Sequence, residues 1–200
     1  MEEGSITVSR LNQTVVFPAK TMIAAAMNPC KCGFVPDLGK CRCTPTQIRR
    51  YLNRVSGPFL DRIDIGVEVP RQDLGMMAAE KSIDEGSFPQ AERRDSSAVM
   101  RARVVEARAR QEMRFAGESI SYNSQMTRRQ IEEYCRLSGE DAVFLEKVER
   151  QQGISARGHG KILKVARTLA DLDGQAEIGR TQLAEAIGFR SFEKKYWGSL

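Results

Sequence analysis

Four cysteines stand in two Cys-x-Cys pairs and could hold a metal ion. Cys30 and Cys32 are separated by eight residues from Cys41 and Cys43. Two thiolate pairs joined by a loop that contains Gly and Pro can close the tetrahedral sulfur site that Zn²⁺ prefers in structural centres. Two alternatives stay open, because this spacing is tighter than Cys-x-x-Cys: redox-active pairs, and reduced surface thiols without a ligand. The pattern favours a bound Zn²⁺.

Asn28 has a side chain suited to contacting phosphate. It follows an apolar run, Thr21–Met27, which predicts a strand buried on both faces of a parallel sheet. Ligands of open α/β sheets bind beyond the carboxyl ends of strands, where an Asn can orient a water molecule or a phosphate oxygen. The alternative is an Asn-Pro pair that only begins a turn.

Two arginines occupy positions where a cation could meet an anion. Arg62 lies between a helical turn and the alternating segment Ile63–Val69, which predicts a strand. The alternative for Arg62 is a surface residue paired with a nearby Asp. Arg157 falls in the first turn of a helix predicted over Ser155–Leu172, where a cation opposes the helix dipole and indicates an anionic partner. An ordinary exposed arginine at a helix start is the alternative there.

A hairpin and a capped helix surround these residues in the first part of the chain. The β-branched runs Ser5–Val8 and Thr14–Phe17 predict a hairpin. Thr44 as N-cap, with Pro next and Gln three residues on, predicts a helix over Gln47–Val55. Its basic face is either solvated or in contact with phosphate or a neighbouring subunit's acidic face; this face contains Arg49, Arg50 and Arg54.

The second part of the chain predicts helices alone. A long helix over Ser96–Ala116 has an Ala-rich apolar stripe, which we expect to pack on another helix; the stripe contains Ala98, Ala102, Val105, Ala109, Met113 and Ala116. Four helices and a buried Cys135 then predict a small bundle with short loops; the helices are Thr127–Leu137, Glu140–Gln151, Ser155–Leu172 and Thr181–Phe189. The predicted domains are residues 1–71, a linker and helix over 72–118, and a helical domain over 119–200.

Composition limits the class of protein. The 200 residues have a net charge of +5 and one histidine, which fits a chain that meets phosphate and argues against a Ser-His-Asp hydrolase. No apolar run reaches the ~20 residues of a membrane span, and no signal-peptide pattern opens the chain. We therefore expect a cytoplasmic protein without a membrane partner, whose thiols stay reduced.

The motifs together resemble those of the ComM/YifB-type, magnesium-chelatase-like AAA+ ATPases. The similar segments include AAMNPCKCG, CRCTPTQIRRYLNRVSGPFLDRIDIGVEVPR, ISARGHGKILKVARTLADLDG and LAEAIGFRS. The resemblance implies an α/β then all-α fold: the second half of an AAA+ α/β core, with parallel strands and a hairpin, followed by a helical lid. It also implies that Asn28 is the sensor 1 residue, Arg62 the arginine finger that reaches a neighbouring subunit, and Arg157 the sensor 2 arginine.

The same resemblance implies cofactors and partners. Its members use ATP and Mg²⁺ and form homo-oligomeric rings, which we expect to be hexamers. The competence member resembles a DNA branch-migration helicase, so DNA is the expected partner. Related chelatase subunits drive metal insertion into porphyrin. Two alternatives stay open: a zinc-stabilised, basic nucleic-acid-binding module without ATPase activity, and a chelatase-type partner of a protein complex.

Two elements of an ATPase are missing from the sequence. No segment fits GxxxxGK[ST], the loop that cradles phosphates, and no apolar strand ends in Asp-Glu. Gly158-His159-Gly160-Lys161 lacks the spacing and the hydroxyl, and Gly179-Arg180-Thr181 lacks the lysine. We therefore expect the chain to be the C-terminal part of an AAA+ module, within a longer protein or as a truncated product. We expect no ATP hydrolysis by the chain alone.

Overall fold

The structure, a computed structural model, describes residues 4–11, 13–37, 39–69 and 96–198. The chain divides into two compact units. The first unit comprises Met1–Ile63 together with Lys195–Leu200, and the second comprises Asp64–Lys194. The predicted linker over 72–95 lies outside the described residues.

An antiparallel hairpin opens the first unit, as predicted. Strand β1 (Ser5–Arg10) pairs with β2 (Gln13–Pro18), with Ser5 opposite Pro18 and Arg10 opposite Gln13. Pro18 is the last residue of its strand, since it lacks the N–H that a longer ladder requires. Most side chains of both strands are exposed.

The two predicted strands that would flank the site are absent from the described structure. Thr21–Met27 and Ile63–Val69 adopt neither strand nor helix. Met22 is 93% exposed and Val69 is 87% exposed. A strand buried on both faces requires neighbours that bond its backbone and cover its side chains, and the described residues form one sheet, whose two strands pair with each other. Both strand predictions are therefore wrong here.

Two short helices follow in the first unit. Helix α1 (Pro45–Leu52) begins at the predicted capping box, in which Thr44 Oγ1 accepts from the Gln47 N–H (3.3 Å) and Gln47 Oε1 accepts from the Thr44 N–H (3.0 Å). Helix α2 (Gly57–Leu60) follows after a short turn. Leu52 and Leu60 are both buried. The Trp197 indole N–H donates to the Leu52 carbonyl (3.1 Å), which fixes the end of α1.

The second unit is helical. The long predicted helix and the four that follow it are confirmed, with ends shifted by a few residues; the helices are α3 (Ser97–Arg114), α4 (Arg128–Tyr134), α5 (Gly139–Gln152), α6 (Ala156–Leu172) and α7 (Arg180–Gly188). A short 3₁₀ helix (Asn123–Gln125) precedes α4, and an additional helix, α8 (Ser191–Tyr196), follows α7. Sequence analysis did not predict α8. None of the helices in the described part of the chain is long and apolar enough to cross a lipid bilayer.

Helix α6 carries the centre of the apolar core. Its buried residues Ile162, Leu163 and Ala166 pack in one cluster with side chains of α7, including Leu183. Cys135 is 4% exposed and belongs to this cluster, as predicted. Burial raises the pKa of the Cys135 thiol to about 11, so this cysteine is a small core residue.

Helix α3 packs through a different face from the one predicted. The residues of the Ala-rich stripe are exposed, among them Val105 (59%) and Met113 (72%). The face that packs instead contains Ala107, Gln111 and Arg114. These positions are spaced by four and three residues, so they share one side of the helix. The apolar stripe did not identify the packed face, because α3 packs through polar side chains that contact a buried carboxylate.

That carboxylate belongs to Asp171, which is fully buried in α6. It accepts hydrogen bonds from both terminal nitrogens of Arg114, one of them at 2.8 Å, and from Asn123 Nδ2 (2.8 Å). Arg167, 3% exposed, forms an ion pair with it at 3.2 Å. Arg110 Nη1 donates to the Asp171 backbone carbonyl (2.8 Å). This buried network joins α3, the 3₁₀ helix and α6, and sequence reasoning missed it.

Candidate functional site

The four predicted cysteine ligands lie together in the first unit. All four Sγ atoms are within 4.8 Å of one another. The Cys30–Cys32, Cys32–Cys41 and Cys30–Cys41 sulfur separations are 3.4, 3.5 and 3.9 Å. A regular tetrahedron with Zn–S bonds of ~2.3 Å has sulfur–sulfur edges of about 3.8 Å. The cluster therefore has the donor set and the spacing to hold a metal ion.

A tight turn presents the first cysteine pair. The Gly33 N–H donates to the Cys30 carbonyl (3.1 Å), and Gly33 has φ +77°, a conformation that favours glycine. A Cβ added at Gly33 would lie 3.3 Å from Asn28 Nδ2. The Asn28 carboxamide thus packs against the cysteine loop. Sequence analysis did not expect this contact, because Asn28 was assigned to the end of a strand.

Backbone N–H groups and the crowding of the sulfurs give the cysteines of the cluster different pKa values. Donation from the turn at residues 33–35 lowers the pKa of Cys32 to about 6. Burial opposes ionisation of Cys30, but the same turn outweighs it and lowers that pKa too. At Cys41 the backbone N–H of Cys43 favours the thiolate, yet burial and the neighbouring sulfurs raise the pKa to about 11. A bound cation would let all four sulfurs ionise together.

The cysteine cluster is joined directly to α1 and, through it, to Arg62. Cys43 precedes Thr44, the N-cap of α1, so the cluster fixes where that helix begins. Helix α2 follows α1 after four residues, and Arg62 is the second residue of the turn that follows α2. A metal at the cluster would therefore hold the base of the segment that presents Arg62.

Arg62 is held by backbone contacts at its predicted position after a helical turn. Its N–H donates to the Phe59 carbonyl (3.0 Å), and its Nη1 donates to the Pro58 carbonyl (2.7 Å). The side chain is half-buried. Asp64, one of the acids considered as a surface partner, forms an ion pair with Lys161 at 3.0 Å instead. The surface pairing of Arg62 with Asp64 is therefore not the one that the structure shows.

Arg157 lies in the first turn of α6, as predicted, and its side chain is exposed. Ser155 caps the helix by accepting from the Gly158 N–H (3.1 Å). Gly158 is buried, and a Cβ there would lie 2.7 Å from Ile154 Cγ2. Arg157 belongs to the second unit, whereas Asn28, Arg62 and the four clustered cysteines belong to the first.

Helix α1 has a face lined by exposed polar residues. This face, called the α1 basic face below, borders a shallow depression and contains Thr46, Arg49, Arg50, Asn53 and Arg54. Sequence analysis identified its three arginines, and the structure adds the Thr and Asn beside them. No carboxylate of the described residues forms an ion pair with these arginines.

Two family descriptions match successive parts of the chain. Residues 1–77 match "Magnesium chelatase, subunit ChlI", and residues 94–190 match "Magnesium chelatase, subunit ChlI C-terminal". The order of the two matches agrees with the division between a cysteine-containing first part and a helical second part.

Curated relatives match almost the whole chain. Competence protein ComM of Haemophilus influenzae is 41% identical over 96% of this chain. The YifB proteins of Escherichia coli and Salmonella typhimurium are 38% and 37% identical, each over 97% of this chain. In each case the match covers 35% of the relative, so the chain spans about a third of the length of these proteins. The chain belongs to the ComM/YifB-type, magnesium-chelatase-like family.

Proposed function

We propose that this chain supplies three phosphate-contacting residues to a ring-forming, ATP-driven motor that acts on DNA. Asn28 is the sensor 1 residue, Arg62 the arginine finger and Arg157 the sensor 2 arginine. The observation that carries the proposal is the setting of Arg62: the carbonyls of Pro58 and Phe59 hold its guanidinium and its backbone N–H two residues after α2. Family membership supports the same roles.

The chemistry requires donors held in place. Phosphoryl transfer is catalysed mainly by positioning and by stabilising the charge that develops on phosphate oxygens. ATP with Mg²⁺ supplies the phosphoryl group. Arg62 would neutralise that charge in a neighbouring subunit's site, because a finger acts across a ring interface. Asn28 would orient a water molecule or phosphate oxygen, and Arg157 would contact the phosphates from the helical unit.

This chain does not hold a complete nucleotide site. Its sequence contains no phosphate-cradling GxxxxGK[ST] loop, so the loop and the Mg²⁺ ligands must come from other residues. We expect no ATP turnover by the purified 200-residue chain in a phosphate-release assay. Turnover that follows the chain through successive purification steps would contradict this prediction.

A chimera tests the proposed function. The chain replaces the matching 35% of Haemophilus influenzae ComM, and ATP hydrolysis and oligomeric state are measured. We expect ATP turnover by the chimera, and we expect Asn28→Ala and Arg157→Ala each to lower it. A well-folded chimera that assembles but whose turnover is insensitive to both substitutions would overturn the proposed roles.

We also propose that the cysteine cluster binds Zn²⁺ as a structural clip. Its four sulfurs lie within 4.8 Å of one another, three of their separations are close to a tetrahedral edge, and Cys43 directly precedes the N-cap of α1. Metal binding that requires a folded site adds its free energy to folding. The clip would therefore stabilise α1, α2 and the position of Arg62.

Metal analysis tests the zinc proposal. Protein purified without chelator should contain about one Zn²⁺ per chain, since four thiolates complete a structural site. Cys32→Ser should lose the metal and lower the melting temperature, whereas Cys135→Ala should keep the metal because Cys135 lies in the second unit's core. Absence of zinc, together with free reaction of all four thiols, would refute the proposal.

A further inference from the structure

The α1 basic face is one continuous stripe on the helix. Thr46 is three and four residues before Arg49 and Arg50, and Asn53 is four and three residues after them, which places these residues on one side of α1; Arg54 follows just past the helix. The other side of α1 is covered: Leu52 is 4% exposed, and Ile48 and Tyr51 are half-buried. Burial of that side leaves the polar stripe directed away from the interior of the first unit.

The positive charge of this face is not balanced locally. Residues 4–63 contain nine Lys and Arg but two acidic residues, Asp37 and Asp61. Asp37 pairs with Lys40 at 3.6 Å, beside the cysteine loop. Arg50 lies in the last turn of α1 and Arg54 just beyond its end, and an anion between these two like charges would relieve their repulsion.

The helix dipole explains the positions of some residues of the α1 basic face but not of the others. Arg49 and Arg50 lie in the last turn of α1, where a cation is favoured. Arg54 lies beyond the end of the helix, and Thr46 lies in its first turn. The dipole therefore does not account for a stripe that runs the whole length of α1.

The donors of the stripe suit a row of phosphates. Arginine forks, a Thr hydroxyl and an Asn amide are groups that contact phosphate oxygens in nucleic-acid complexes. The stripe begins at Thr46 in the first turn of α1 and ends at Arg54, two residues past the helix, so its donors can contact several consecutive phosphates of one strand. The stripe has no aromatic side chain on which a base could stack.

We propose that the α1 basic face binds the phosphate backbone of nucleic acid without regard to base sequence. The proposal specifies the surface to which the DNA partner would bind, and it rests on the proposed function for the identity of that partner. We expect this binding to require no nucleotide, because the stripe lies in a segment that begins at the cysteine cluster and the Thr44 N-cap. The binding free energy comes chiefly from counterions that leave the nucleic acid when the arginines contact its phosphates, so the affinity depends strongly on salt.

Salt-dependent binding by the full chain tests this inference. The probe is a fluorescently labelled, mixed-sequence single-stranded DNA, followed by anisotropy between 50 and 200 mM salt without ATP. The variant is Arg49→Gln/Arg50→Gln/Arg54→Gln. The control is Arg101→Gln/Arg129→Gln/Arg136→Gln, which removes the same charge from exposed positions of the second unit.

The first variant should make the slope of log K against log salt shallower by about 2, as expected for three lost phosphate contacts. The rise in salt then weakens wild-type binding about 20-fold more than it weakens binding by the variant. The control should keep the wild-type slope. The variant must also keep the wild-type circular dichroism spectrum and metal content, so that lost binding is not lost folding.

Three results would overturn the inference. If the wild-type chain binds no DNA at 50 mM salt, the α1 basic face is not a nucleic-acid contact. Equal losses in both triple variants show only a general charge effect. Polyglutamate that displaces DNA at matched charge points to an acidic protein surface instead. Because ATP is absent, an inactive chimera would refute the proposed motor function while leaving this result untouched.

Discussion

Arg62→Ala should lower the ATP turnover of the assembled chimera by about 10³–10⁵-fold, the range that arginine fingers contribute to phosphoryl transfer. In the proposed role the guanidinium would supply charge and hydrogen-bond donors at the transferring phosphate, and alanine supplies neither. Arg62→Lys should recover little of the activity, since an ammonium keeps the charge but loses the fork geometry. The measurement is kcat under saturating ATP, with Arg101→Ala, at an exposed position in α3, as the control for charge loss.

The same variant should still bind nucleotide. A finger acts in the neighbouring subunit's site, so a subunit without it keeps its own phosphate contacts. Equilibrium binding of a fluorescent ATP analogue should therefore change far less than kcat. Loss of analogue binding in parallel with loss of turnover would argue against a finger and for a role in folding.

Asp171→Ala should destabilise the helical unit by about 3–5 kcal/mol, the usual cost of breaking a buried ion pair by removing one partner. Asp171 is fully buried. Its loss removes the ion-pair partner of Arg167, which is 3% exposed, and the main partner of Arg114. The measurement is urea unfolding followed by circular dichroism, which reports mainly on the helices.

An exposed ion pair provides the matched control. Glu132→Ala removes the partner of Arg128, a pair with side-chain exposures of 94% and 67%. Such helical surface pairs contribute about 0.3–0.5 kcal/mol. Equal unfolding free energies for the two variants would mean that the Asp171 network does not hold α3 on α6.

Local signals predicted the helices well. Thr44 caps its helix through the predicted box, Thr127 caps another through the same arrangement, and Ser96 and Ser155 cap the two long helices. These signals are reliable because the cap and its partner lie within three residues of each other. The cysteine cluster was predictable for a related reason, because short Cys-x-Cys spacings limit how the sulfurs can be arranged.

Signals that depend on distant partners failed. Thr21–Met27 has the composition of a buried strand, but a strand forms only where another strand bonds it. The α3 stripe failed because Asp171, 57 residues after Arg114, selects a polar face that periodicity does not detect. The contact of Asn28 with Gly33 depends on a loop conformation that sequence does not reveal. The roles of Asn28, Arg62 and Arg157 came from the family resemblance, since a lone Asn or Arg has no local signature.

Mixing two inactive chimeras tests most directly the claim that Arg62 acts on a neighbouring subunit. One carries Arg62→Ala, and the other carries a substitution of the phosphate-loop lysine in its ComM portion. In rings mixed at equal ratio, about a quarter of the interfaces pair an intact loop with an intact finger. We predict that mixing restores ATP turnover to a comparable fraction of the wild-type rate. Rings shown to exchange subunits but without recovered turnover would contradict the account.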